Sequence, residues 1–344
     1  MGNISPLQRG FDLPKQSIVA GNIPIVYSNG ILKFHNQSKS KAPGLVTGRS
    51  GTIGKFTFIE NGEYWPHNTS LWVTDFCGNI PKFIYYLYQT INIEQFSTGS
   101  GVPTLNRNDV HRKKCSIPNI EEQKKISSFL SLLDEKLQTQ RKIIEELNVF
   151  KKGIAQKIFS QQLRFKDDNG NDFPEWESKM LGEVLDYEQS TKYLVATTEY
   201  DDSFKTPVVT AGKTFILGYT NEEENIFEKE KLPVIIFDDF TTASQFVDFP
   251  FKAKSSAMKI LKAQKGCDIK FIFEAMQMIS YETGGHGRHW ISVFSNLEIS
   301  LPSLLEQQKI ANFLSSIDSK IDIENQILQK LEEQKKYFLA NMFI

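Results

Sequence analysis

The stretch "IPNIEEQKKISSFLSLLDEK", beginning at Ile117, returns as "LPSLLEQQKIANFLSSIDSK" at Leu301. The two align without a gap at a constant offset of 184 residues, and the register holds from Ile117–Phe159 against Leu301–Phe343. Identical pairs include Pro118/Pro302, Glu122/Glu306, Gln123/Gln307, Phe129/Phe313, Asp134/Asp318, Lys151/Lys335, Lys152/Lys336 and Phe159/Phe343. A register kept that long is an internal duplication, and it fixes the architecture before any single residue is interpreted.

Each copy reads as one long helix. Asn119 with Glu122, and Ser303 with Glu306, stand at capping-box spacing directly after a helix-excluding proline. Apolar residues then recur in steps of four and three. In the first copy they are Ile126, Leu130, Leu133 and Leu137, then Ile144, Leu147, Ile154 and Ile158. The second copy gives Ile310, Leu314, Ile317, Ile321, Leu328, Leu331, Phe338 and Met342. That is the seam of a coiled coil. It is broken at matched positions, by Gln140 and Glu324 and again by Lys151 and Lys335. Polar seam residues cost stability and fix register, so matched breaks predict that the two helices pair with each other. About 40 residues make a rod of roughly 60 Å.

The segments before the helices are β-rich with turn punctuation, as in "GLVTGRSGTIGKFTFIENGEYW" and "LPVIIFDDFTT". They correspond loosely: Lys82-Phe83-Ile84 matches Lys270-Phe271-Ile272, and a Gly-rich loop follows each, "STGSGVPT" (97–104) and "TGGHGRHW" (283–290). The order is therefore globule (1–116), rod (117–165), linker and second globule (166–302), rod (303–344). The fold class is α+β, with two β-rich domains joined and spaced by two long antiparallel coiled-coil helices about an internal pseudo-twofold.

Net charge is only −1, but its distribution is uneven. Residues 1–118 carry 12 Lys and Arg against 6 Asp and Glu, whereas 171–302 carry 13 against 21. Within the acidic block, 250–290 is locally basic, with seven basic and three acidic side chains. Such asymmetry says more about partners than the total does. Three scattered cysteines, no signal-peptide plan and no apolar run long enough for a membrane helix suggest a reducing cytoplasm and no membrane.

The pattern Pro-x-x-x-Glu-Gln-x-x-Ile, then Phe-Leu and Asp, duplicated behind two β-rich globules, resembles the specificity subunit of type I restriction–modification enzymes. The quoted copies are "PNIEEQKKISSFLSLLD" and "PSLLEQQKIANFLSSID", and "FPEWESKMLGEV" (173–184) resembles the start of a target-recognition domain in that family. The resemblance implies a non-catalytic subunit whose two target-recognition domains each read half of an asymmetric, bipartite double-stranded DNA target. It implies a helix pair that spaces them and docks two methyltransferase subunits, which restriction/translocase subunits then join. S-adenosylmethionine, ATP and Mg are expected in those partners and none in this chain. The first half has no counterpart of "WESKMLGEVLDYEQSTKY" ahead of "RGFDLPKQ", so the amino-terminal edge of its domain is expected to be shortened.

Candidate DNA contacts lie in the loops. "VTGRSGTIGKF" (46–56) fails as a phosphate loop, because Arg49 stands where the first glycine belongs and Phe56 follows the lysine. Its Thr47, Arg49, Ser50, Thr52 and Lys55 suit a DNA phosphate or base edge, or else merely solvate a hairpin. The Gly-rich loops add Gly99, Ser100, Gly101, Thr104 and Arg107, and in the second half Gly284, Gly285, His286, Arg288 and His289. Lys252 and Lys254 of "FKAKSSAMKILKAQKG" (251–266) form either a phosphate stripe or a solvated face. No residue set suggests a metal or a catalytic role. Asp172, Glu177 and Lys179 mimic a nuclease spacing without partner carboxylates, and Asp238-Asp239 is expected to bond inside its own domain. The reading left open beside DNA recognition is a coiled-coil scaffold whose globules bind protein.

Overall fold

The computed structural model describes residues 1–98, 102–212, 214–281 and 289–343. The chain forms two compact units, Met1–Ile143 with Glu324–Ile344, and Ile144–Ile323. Each unit therefore includes part of both repeat helices.

In the first unit, strands β1 (Leu7–Arg9), β2 (Ile23–Tyr27), β3 (Gly30–His35), β4 (Ser40–Lys41), β5 (Gly44–Gly48), β6 (Phe56–Ile59), β7 (Glu63–Pro66) and β8 (Ser70–Val73) precede helix α1 (Pro81–Thr90). Two short strands, β9 (Ser97–Thr98) and β10 (Thr104–Leu105), then lead through α2 (Arg107–Arg112) into the long helix α3 (Ile120–Phe159). The larger strands make two sheets, β1-β8-β5-β6 and β3-β2-β7-β4.

The second unit repeats this plan. It comprises β11 (Glu177–Met180), α4 (Leu181–Val184), β12 (Leu185–Gln189), β13 (Thr206–Val209), β14 (Ile216–Thr220), β15 (Val234–Asp238), β16 (Ser244–Val247), β17 (Lys252–Ala253), β18 (Met258–Ala263), α5 (Ile269–Gln277), α6 (His289–Ser292), β19 (Glu298–Leu301) and the long helix α7 (Leu304–Met342). Its sheet β12-β18-β15-β16 has the strand order of β1-β8-β5-β6. The pairing β13–β14, with β17 parallel to β13, matches β2–β3 with β7 parallel to β2. The duplication thus extends from the helices into globules whose sequences barely agree.

The repeated Pro-x-x-x-Glu-Gln has a structural cause. The Gln123 amide, 1% exposed, accepts from the Ile80 N–H at the start of α1 (3.0 Å) and donates to the Pro118 carbonyl (3.0 Å). Gln307, also 1% exposed, accepts from the Asp268 N–H at the start of α5 (2.8 Å) and donates to the Pro302 carbonyl (2.8 Å). One side chain thus ties the first turn of each long helix to the otherwise unpaired N–H groups of a domain helix. Asn119 caps α3 through the Glu122 N–H at 3.0 Å. The glutamates of the two boxes diverge: Glu122 is exposed, whereas Glu306 is fully buried and accepts from Arg164 (2.9 and 3.0 Å) and the Trp176 indole (3.1 Å).

The apolar seam serves two surfaces. Ile126, Leu130 and Leu133 are buried in the first unit's core with Phe83, Ile84 and Leu87 of α1, and Phe338, Leu339 and Met342 of α7 pack against that core. In the second unit Ile310, Leu314 and Ile317 join Ala155, Ile158, Phe271 and Ile272. Leu137 is buried, while Ile144, Leu147, Ile321, Leu328 and Leu331 are half-buried. The polar breaks meet each other within the pair: Gln140 donates to the Glu324 carboxylate (2.6 Å) and carbonyl (2.9 Å). The helices run antiparallel in both units. Lys335 pairs with Asp134 and Lys151 with Asp318, each at 2.6 Å. No helix among the described residues is long and apolar enough to cross a membrane.

Candidate nucleic-acid interface

One edge of the first unit gathers the ends of several strands. Thr69, in the turn between β7 and β8, is its hub. Its carbonyl accepts from the Arg49 N–H (2.9 Å) and the Ser50 N–H (3.2 Å), and its hydroxyl oxygen accepts from the Ser28 N–H at 3.4 Å. The Leu105 N–H donates to the Arg49 carbonyl (2.7 Å), the Gly51 N–H to the Pro103 carbonyl (3.1 Å), and Ser50 bridges Thr104. The 46–56 loop and the segment after the first Gly-rich loop, read separately in the sequence, therefore form one surface. Arg49 and Ser50 are half-buried on it, and Thr52, Lys55 and Arg107 are exposed. The Arg49 guanidinium has no ion-pair or hydrogen-bond partner among the described residues, which leaves its planar fork of donors available. Lys55 is anchored by donating to the Asn29 carbonyl at 2.7 Å.

The glycines here serve backbone packing. A Cβ on Gly48 would lie 1.6 Å from the Thr52 carbonyl oxygen, and Gly54 holds φ at +84°. Both follow from a loop folded tightly on itself, with its polar tip outward.

Sequence reasoning missed Tyr27, His67, Asn68 and Thr69. They reach this edge from turns far away in the chain. The one available signal was the polar turn "HNT" between "EYWP" and "SLWV". The Tyr27 and His67 rings pack at a tilt of 39° with centroids 4.3 Å apart. Burial pulls the His67 imidazole below its usual range, against the opposing influence of the Leu13 backbone and Asp12.

The matching edge of the second unit has the same frame and different side chains. The Asp239 N–H donates to the Ala257 carbonyl (3.2 Å), and the Asp239 carbonyl accepts from the His289 N–H (2.9 Å). Asp239 thus occupies the place of Arg49, and His289 that of Leu105. Asp239 is 2% exposed, faces Lys259 at 3.4 Å and accepts from the Trp290 N–H at 2.8 Å. Asp238 accepts from the Phe240 and Thr241 N–H groups, both at 2.9 Å. Both carboxylates bond inside their own domain.

Three expected contacts are corrected. Thr47 is buried, and its hydroxyl donates to the Lys55 carbonyl at 3.0 Å, so it holds the hairpin and does not face solvent. Lys252 is buried, with its ammonium on Glu222 (2.6 Å) and the Glu224 carbonyl (2.8 Å). His289 is buried with Nδ1 at 3.3 Å from the Tyr281 hydroxyl. Lys254 is half-buried and donates to the Tyr200 hydroxyl at 3.1 Å. The lysine stripe is thus largely neutralised from within: Lys262 pairs with Glu188 at 2.5 Å and Lys259 with Asp239. Burial pushes the Glu222 carboxyl up, yet Lys252 and the Ala196 and Thr197 N–H groups hold it below its ordinary value. Of the nuclease-like trio, Glu177 pairs with Lys179 (3.2 Å) and Asp172 with Lys166 (3.3 Å). Gly99, Ser100, Gly101, Gly284, Gly285, His286 and Arg288 lie outside the described residues. Among the described residues no group of His, Cys, Asp or Glu is placed to hold a metal.

Comparison with known proteins places the chain in a family. A family model, the type I restriction modification DNA specificity domain, matches residues 3–149 and 174–333. Over 172 residues the chain is 43% identical to a type I restriction enzyme specificity subunit of Escherichia coli, covering 46% of this chain and 41% of that protein. Over 287 residues it is 28% identical to the type I restriction enzyme MjaVIII specificity subunit of Methanocaldococcus jannaschii, covering 73% and 67%. The match thus spans less than half the length of the first relative and about two thirds of the second. In three dimensions the chain superposes on a type I restriction–modification S subunit from M. genitalium with a TM-score of 0.68 at 17% identity, covering 98% of this chain and 93% of that one. A chain from a study of assembly and conformational transition of the type I restriction–modification system gives a TM-score of 0.51 at 13% identity, covering 91% and 86%. At such identities the likeness is one of fold.

Proposed function

The chain belongs to the type I restriction modification DNA specificity family, and from that premise we propose that it is the non-catalytic, DNA-reading subunit of a cytoplasmic restriction–modification complex. Each compact unit reads one half of a bipartite duplex target. The observation that carries this reading is the paired edge: the same backbone bond joins Arg49 to Leu105 and Asp239 to His289, while the side chains around it differ in charge and shape. A common frame with unlike loops is what reading two unlike half-sites requires.

The long helices dock the partner subunits in this proposal. In the first unit Leu132 and Tyr337, and in the second Val149, Phe150, Leu305 and Ile323, are each more than half exposed on them, which supplies apolar side chains for association. Two methyltransferase subunits would bind there and restriction/translocase subunits would join them, bringing S-adenosylmethionine, ATP and Mg with their own chemistry.

The test is binding of the purified chain, with the subunits that copurify, to duplexes selected from a random pool. A split word should emerge, and log affinity should fall linearly with log salt, with a slope near −0.9 for each phosphate neutralised. Failure to retain any specific duplex would return the chain to the scaffold reading.

A further inference from the structure

We propose that Phe240 is a specificity-determining residue that reads the 5-methyl group of a thymine in the target. The inference rests on the DNA-reading function proposed above and adds a residue and a chemical feature to it. Strand register fixes the position. Gly44–Thr47 pair with Ile59–Phe56, and Val234–Phe237 pair with Val247–Ser244, and the backbone bonds of Arg49 and Asp239 extend the match, so Phe240 follows Asp239 as Ser50 follows Arg49, in a shorter turn. Ser50 stands beside Arg49, whose guanidinium has no partner among the described residues, on the first edge. Phe240 projects from the second edge with 44% of its surface exposed.

The ring is held outward. The Asp238 carboxylate accepts from the Phe240 and Thr241 N–H groups (both 2.9 Å), and the Thr242 N–H donates to the Asp238 carbonyl (2.9 Å). Thr242 at φ +59° completes the reversal, and the Asp238 N–H donates to the Ala243 carbonyl at 2.9 Å to close the turn. The next residue, Asp239, is locked inward by Lys259 and the Trp290 N–H. Asp239 is therefore closed to a cytosine amino group, while Asp238 has Oδ1 committed to the two N–H groups that shape the turn. What the turn offers beyond Asp239 is the Phe240 ring with Thr241 beside it.

A phenyl ring has no strong donor or acceptor, so on a base edge it favours an apolar feature. In the major groove that feature is the thymine methyl. The loop around Arg49 reads by hydrogen bonds and the loop around Phe240 by shape and apolar contact, which gives two half-sites of different chemical character from one frame.

The test uses the word selected by the wild-type chain with its copurifying subunits. Each thymine in it is replaced singly by uracil, which keeps base pairing and removes only the methyl. At one position wild type should lose about fourfold in affinity, the value of one buried methyl-sized group. Phe240→Ala should bind the thymine word roughly tenfold more weakly and no longer distinguish uracil from thymine there. Phe240→Leu should keep part of the discrimination, which separates loss of contact from a damaged turn. The proposal is overturned if no uracil matters to wild type, if the word contains no thymine, or if Phe240→Ala retains wild-type affinity or discrimination. A wild-type chain that selects no word at all overturns the DNA-reading function itself, and this assignment with it.

Discussion

Lys335 and Asp134 lie 2.6 Å apart between the two long helices, and Lys151 and Asp318 repeat the pair at the same distance. Both are products of the duplication, yet their surroundings have diverged. The Tyr86 hydroxyl donates to Asp134 at 2.7 Å, whereas Lys270 reaches Asp318 at 2.8 Å and Glu274 at 2.9 Å. The first unit holds one ion pair with a phenol; the second holds two lysines and two carboxylates in one network.

Removing one partner should therefore cost more in the second unit. Asp318→Ala leaves Lys151 and Lys270 with Glu274 alone, and a loss on the order of 3 kcal/mol is expected from a partly buried, broken network. Asp134→Ala leaves Lys335 unpaired and the Tyr86 hydroxyl with Ser131, and should cost about 1 to 2 kcal/mol, less than a fully buried pair because both members of the ion pair keep some solvent. Urea unfolding of the two variants, followed by a probe in each unit, checks the ranking.

Acid should act on the same network. Burial alone would raise the Asp318 carboxyl, but Lys151 and Lys270 hold it below its ordinary value. A depressed carboxylate stabilises fully above its unfolded pKa of about 3.9, and that contribution disappears as pH falls through the folded value. Lys270 is raised: burial works against its charge and Glu274 and Asp318 outweigh it, so its contribution is present below about 10.4 and is lost as pH climbs through the folded value. Stability of the second unit should hold between these bounds and drop below about pH 4. Asp318→Asn should lower the plateau and flatten that acid limb in a circular-dichroism titration.

Lys252 should behave as a structural residue. Its ammonium is enclosed with Glu222, so Lys252→Met leaves that carboxylate with the Ala196 and Thr197 N–H groups alone and should cost about 2 to 3 kcal/mol in denaturation. The salt slope of DNA binding should stay unchanged. A slope reduced by about one unit would identify Lys252 as a phosphate contact after all.

Arg49→Ala should do the reverse. Its guanidinium has no partner among the described residues, so stability should change little, while specific binding weakens by about 1 to 3 kcal/mol and one half-site relaxes. Selection of duplexes from a random pool by the variant checks this directly. An unaltered word would remove Arg49 from the interface.

The architecture was legible because the repeat carries it. Matched polar residues at Gln140 and Glu324 announced a pair, and they do bond each other. The loops were partly legible: the arginine and the glycines of "TGRSGTIG" mark a tight polar turn, and its join to Thr104 and Leu105 reflects the matching Gly-rich loop. Charge was the poorest guide. A lysine count cannot tell which ammonium points inward, and Lys252 and Lys259, on successive strands of different sheets, are consumed by Glu222 and Asp239. His289 misled for a related reason: it takes the buried place that Leu105 fills in the first unit. Tyr27 gave no signal, and His67 and Thr69 only that of a polar turn, because strand pairing over long sequence separations brings them to the edge.

The first unit is assembled from both ends of the chain, residues 1–143 and 324–344, with the second unit's sequence lying wholly between them. During synthesis the second unit has all its residues once Ile323 has left the ribosome, while Phe338, Leu339 and Met342 are still missing from the first unit's core. The half made first is thus the half finished last. Its apolar surface around Phe83 and Leu130 waits through the translation of the other, a delay of about ten to forty seconds at bacterial elongation rates of 5–20 residues per second.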